Sequence, residues 1–126
     1  MKQKVHSVSY LAKAEFKFNN GVYNLVALPS GAEVVKVSLE VVGNPIATST
    51  TSVSVGFEDE TTKNYFLTLD NLAVDDASKK HTTSAKDYTA TSNKVVVAEV
   101  KNANDNNVKG VLRVLYFLPS VIEVEY

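Results

Sequence analysis

The chain has 126 residues, 44% of them apolar and 21% charged, with a formal net charge of −1 and neither cysteine nor tryptophan. Without cysteine there are no disulfides and no thiolate metal sites. Without a basic excess nothing neutralises a phosphate backbone, so nucleic-acid binding is not expected. The length suits one domain over 1–126. No apolar stretch is long enough to span a membrane as a helix. The opening MKQKVHSVSYLAKAEF has no apolar h-region, so no signal peptide is expected.

Valine dominates the apolar residues, and β-branched side chains favour strands. In chain order, residues 4–11 read as a first strand. Residues 14–18 and 22–28 flank Asn19-Asn20-Gly21. Asn-Gly is the strongest short hairpin signal, because a type I′ turn needs positive φ at both central residues. The spacing predicts a hairpin with Phe18 opposite Tyr23, Phe16 opposite Leu25 and Ala14 opposite Ala27. Pro29-Ser30-Gly31-Ala32 is a turn by composition. Val35, Val37, Leu39 and Val41 then alternate with Lys36, Ser38 and Glu40, the period of a strand with one apolar face; it ends at Gly43-Asn44-Pro45. After a polar connector at 46–50, residues 51–57 form another strand. An acidic turn from Glu58 to Asn64 leads to Tyr65–Leu69, its expected hairpin partner.

Residues 70–94 are rich in Asp, Lys, Ser and Thr. A short helix is expected near 71–80, and otherwise a long surface loop with a strand around Tyr88; loops of this length often carry function. Residues 95–100 and 108–118 read as a second hairpin across the Asn-rich segment Lys101–Asn107. Pro119-Ser120 precedes a last strand at 121–126. The sum is an all-β chain: an antiparallel β-sandwich, jelly-roll-like or Greek-key, of about eight strands.

The chemistry of the residues shows no catalytic constellation and does not by itself name a function. His6 and His81 are the only histidines, and neither lies in a GxSxG or HExxH pattern, so no catalytic residue and no cofactor are assigned. Glu58, Asp59 and Glu60 form one acidic cluster, and Asp75 and Asp76, near Asp70, form another. Their spacing matches no calcium loop, so no metal site is assigned.

Strand 111–118 is apolar on both faces, as in a central strand or one that meets another subunit. Val111, Arg113, Leu115 and Phe117, with Ile122, Val124 and Tyr126 of the last strand, are therefore the expected subunit interface. Arg113, if enclosed, needs a carboxylate, and Glu123 or Glu125 is available. Asp75, Asp76, His81 and Tyr88 are the expected partner-binding loop.

The stretch 25–57 resembles small virion structural proteins of tailed bacteriophages and prophages. An apolar strand enters a Leu-Pro-x-Gly turn (Leu28-Pro29-Ser30-Gly31), and a Val-rich alternating strand follows (Val34 to Val42). A Ser/Thr connector leads to a strand ending Val55-Gly56, then an acidic turn and the aromatic return Tyr65-Phe66-Leu67. A late glycine before a hydrophobic strand is also present, at Gly110 and Val111 to Leu118. The resemblance implies a non-enzymatic head decoration, head-fibre or similar accessory subunit without cofactor. It also implies a homo-oligomer, often a trimer, that is assembled in a bacterial cytoplasm and binds capsid or other virion protein. The alternative is an adhesin or glycan-binding module, such as a tail-fibre tip, using the 70–94 loop and Tyr88.

Overall fold

The computed structural model describes residues 1–43, 51–70, 80–119 and 121–125; for 104–106 and 121–125 it describes the backbone alone. The strands are β1 (Lys2–His6), β2 (Ser9–Leu28), β3 (Glu33–Val42), β4 (Ser52–Phe57), β5 (Leu67–Leu69), β6 (His81–Ser84), β7 (Tyr88–Thr89), β8 (Lys94–Phe117) and β9 (Val121–Glu125). Every pairing is antiparallel, and no helix occurs among the described residues. The helix expected over 71–80 falls outside the described residues except for Lys80. The fold is all-β, an antiparallel sheet nearly closed into a barrel-like sandwich and consistent with a jelly roll.

Neither expected long hairpin forms. β2 runs unbroken through Asn19-Asn20-Gly21, and β8 runs unbroken through Lys101–Asn107. The two pair with each other along their length, from Ser9 opposite Phe117 to Leu28 opposite Lys94. The expected pairs Phe18–Tyr23, Phe16–Leu25 and Ala14–Ala27 are replaced by Ala14–Leu112, Phe16–Gly110 and Tyr23–Ala98.

These strands are too long to be straight. At about 3.3 Å per residue, 24 residues would reach about 80 Å. A compact chain of this length is only about 35 Å across. The accessible surface, 7084 Å², is near the roughly 6600 Å² of a compact 13.7 kDa protein. Both strands therefore turn a corner midway. The rings of Phe16 and Tyr23 stack with centroids 5.4 Å apart, although seven residues of straight strand would separate them by about 23 Å.

The hairpin-like residues build this corner. The β2–β8 register shifts between Lys17 and Phe18, between Asn19 and Gly21, and between Asn24 and Val26, and such bulges bend a strand and increase its twist. Gly21 has φ 148° and Asn102 has φ 58°, backbone angles that glycine and asparagine tolerate. Side chains replace the missing ladder bonds. Ala103 N–H donates to Asn20 Oδ1 at 2.8 Å, Thr51 Oγ1 donates to Asn102 O at 2.7 Å, and Tyr23 OH donates to Asn19 O at 2.7 Å.

On its other edge β8 pairs with β4 before the corner, at Val96–Lys101, and with β3 after it, at Lys109–Phe117. β5 extends the first limb, and β6 and β7 extend the second. The limbs close on a shared core of Phe18, Leu28, Val34, Val37, Leu39, Val53, Val55, Val96, Leu112 and Val114. At the far side β5 lies against β6. There Phe57 of β4 packs on Tyr88 of β7, with ring centroids 4.5 Å apart. The turn expected at 29–32 is present, Ala32 N–H donating to Pro29 O at 3.1 Å, and β4–β5 is the expected hairpin. The strand expected over 4–11 divides: β1 leaves the large sheet and, among the described residues, pairs only with β9.

Candidate functional site

The second limb presents an outer face built from alternate residues of β2, β8, β3 and β6. Cross-strand pairing sets Leu11 beside Leu115 and Leu115 beside Lys36. The next row is Lys13, Arg113, Ser38 and Thr83, and the row after it is Glu15, Val111, Glu40 and His81. The opposite faces of the same strands supply Val37, Leu39, Leu112 and Val114 to the core.

This outer face carries apolar surface that the fold does not enclose. Leu11 is 63% exposed. Leu115 and Phe117 are half-buried, and Val111 is buried between its neighbours. A shallow cavity of about 260 Å³ is lined by Leu11, Lys36, Ser38, Arg113 and Leu115. Of the seven large apolar side chains exposed among the described residues, Met1, Val5, Val8, Tyr10 and Leu11 fall within the first eleven positions. The unenclosed apolar surface is thus gathered at β1 and the start of β2.

Charge frames the patch. Arg113 Nη1 lies 3.4 Å from Glu40 Oε1, and Lys109 Nζ lies 3.4 Å from Glu15 Oε1. Arg113 thus has a carboxylate partner in Glu40, on the adjacent strand; the side chains of Glu123 and Glu125 lie outside the described residues. Arg113 is also only partly covered, with 34% of its side chain exposed. Among the described residues Lys13, Lys17 and Lys36 carry no ion pair.

The structure brings His81 to the same face as Arg113 and Val111, because β6 pairs with β3. Sequence reasoning missed β6: His81-Thr82-Thr83-Ser84 has no apolar alternation, and only its pairing makes it a strand. Tyr88 lies elsewhere, half-buried against the core, its ring 4.5 Å from that of Phe57 and 5.4 Å from that of Tyr65. Ile122 and Val124 stand opposite Val5 and Gln3 in the β1–β9 ribbon. Asp75, Asp76 and Tyr126 lie outside the described residues.

Among the described residues the two histidines stand on different strands, His6 on β1 and His81 on β6. His6 Nδ1 is 3.0 Å from Leu118 O, a geometry in which Nδ1–H donates to the carbonyl. In the acidic turn, Lys94 Nζ bonds Asp59 Oδ2 at 2.6 Å. That hydrogen bond holds the Asp59 carboxyl below its ordinary range and pushes the Lys94 ammonium up. Among the described residues no three His, Cys, Asp or Glu side chains converge as metal ligands, and no helix is long and apolar enough to cross a membrane.

No protein-family model and no curated protein matches the chain. Solved structures do. A chain of the cyanophage Pam1 capsid asymmetric unit superposes with a TM-score of 0.65 at 22% identity, over 88% of this chain and 85% of that one. A chain of the capsid of Ralstonia phage GP4 superposes with a TM-score of 0.64 at 11% identity, over 92% of this chain and 88% of that one. What is shared is the fold, across nearly the whole of each chain.

Proposed function

We propose that the chain is a non-enzymatic structural subunit of a phage or prophage virion, an accessory that docks on the capsid through the outer face of its second limb. The observation that carries this reading is the fold shared over most of its length with chains of two phage capsids. The face suits the role. A patch around Leu11 and Leu115, framed by Lys13, Lys36 and Arg113, fits a partner surface that offers an apolar side chain beside carboxylates. Contact area at such a face is the whole mechanism, since no bond has to break. Each contact can be weak, because repetition on a lattice multiplies the effective concentration when copies are joined. Glycan binding through Tyr88 would need that ring open, and it is already engaged by Phe57 and Tyr65.

The test is composition. Particles of the virus that encodes the chain, banded by density and weighed by mass spectrometry, should contain it in a fixed ratio to the shell protein. Leu11→Asp should leave the isolated fold intact and remove the chain from particles. Wild-type chain absent from washed particles refutes the proposal, and undiminished incorporation of Leu11→Asp refutes the assigned face.

A further inference from the structure

β2 is bonded to β8 along one edge, and among the described residues no strand pairs with its other edge. The stretch Ser9–Lys17 of that edge directs alternate backbone N–H and C=O groups outward, with no strand among the described residues to receive them. Exposed lysines commonly blunt such an edge. Here they alternate with a carboxylate, in the order Leu11, Lys13, Glu15, Lys17, and all four side chains are exposed on one face.

We propose that a second copy of this chain pairs antiparallel with this edge, about a two-fold axis through Ala14. A two-fold axis normal to the sheet makes an isologous contact and pairs residues of the same face. Centred on Lys13, it would oppose Lys13 to itself. Centred on Glu15, it would oppose Glu15 to itself and Lys13 to Lys17. An axis through Ala12 matches no opposite charges, and one through Phe16 carries the pairing into the corner. Through Ala14, Lys13 faces Glu15 of the second copy in both directions, and Leu11 faces the aliphatic stem of Lys17. Opposite charges across a strand pair stabilise it, and like charges there destabilise it. Ala12 and Ala14, on the other face, leave room for the backbones to approach. The joined sheet runs without a break through both molecules and places their two Leu11–Leu115 patches on one surface. It builds even-numbered assemblies, not the trimer that the family resemblance implies. The inference does not depend on the virion reading, because the chain itself is the ligand.

Sedimentation of the full chain up to about 500 µM tests it. The wild type should dimerise. Lys13→Glu and Glu15→Lys should each weaken the dimer by about tenfold or more, with unchanged far-UV circular dichroism. An equimolar mixture of the two variants should recover the dimer, because both carboxylates of the first variant then face ammonium groups of the second. The double variant K13E/E15K should recover it as well. Loss of the Lys109–Glu15 contact affects only Glu15→Lys, so a structural effect would not reproduce this pattern. A monomer at all concentrations, a trimer, or a mixture that stays monomeric overturns the proposal.

Discussion

Phe57 is where the two limbs of the folded sheet are fastened, and Phe57→Ala measures that fastening. The residue is 2% exposed, and its ring centroid is 4.5 Å from that of Tyr88 and 5.3 Å from those of Tyr65 and Phe66. Burial of a phenylalanine side chain stabilises by about 1.5–3 kcal/mol. A void of about 70 Å³ left unfilled adds about 1.7 kcal/mol at about 24 cal/mol per Å³. The expected loss is therefore about 3–5 kcal/mol, a large part of the roughly 5–15 kcal/mol that holds a domain folded. With an unfolding entropy of about 2.1 cal/mol/K per residue over 126 residues, the thermal midpoint should fall by about 11–19 °C. Urea titration followed by far-UV circular dichroism gives the free energy directly. A double-mutant cycle with Tyr88→Ala should show coupling of about 0.5–1.5 kcal/mol, the size of an aromatic pair. A loss under about 1 kcal/mol, or additive effects at the two sites, would mean that β4 and β7 do not close the sheet as described.

Two further outcomes follow from the acidic turn and the strand beside it. A Cβ added at Gly56 would lie 2.6 Å from the Lys63 carbonyl carbon and 2.7 Å from Asn64 N. Gly56→Ala should thus displace the 63–65 backbone and cost about 1–3 kcal/mol in urea titration; a neutral effect would refute that close approach. Asp59 titrates below its ordinary 3.8 in the folded chain, so its contribution is complete above that value and is lost as the pH falls through the lower folded one. Lys94 titrates above 10.5, so its contribution is present below that pH and is lost as the pH rises through the higher folded value. Asp59→Asn should flatten the acid limb of the stability–pH curve, and an unchanged acid limb would contradict the assigned cause.

The strand content was legible because β-branched alternation marks strands wherever one face is buried, as at Val35–Val41. The 29–32 turn and the β4–β5 hairpin were legible because their chemistry is local. The two long strands were not. Asn20-Gly21 and Asn102 satisfy the backbone needs of a turn, and a bulged corner asks for the same positive φ and the same side-chain bonds. Sequence periodicity cannot say whether a chain that bends then doubles back on itself or continues beside a partner 90 residues away. The choice is made by long-range pairing, seen in Phe16 lying opposite Gly110 while stacking on Tyr23. The same blindness hid half of the proposed face. Arg113, Leu115 and Phe117 were visible as surplus apolar surface with a charge in it. Leu11, Lys13 and Lys36 join them only because β2 and β3 flank β8.

Everything assigned to assembly, the face around Leu11 and the free edge of β2, depends on β2 and β8 being continuous strands that turn a corner together. A nuclear Overhauser spectrum of the labelled chain tests this most directly. Backbone proton contacts between Ala14 and Leu112 and between Tyr23 and Ala98 are the predicted result. Contacts between Ala14 and Ala27 and between Phe16 and Leu25, the signature of a local hairpin, would contradict it.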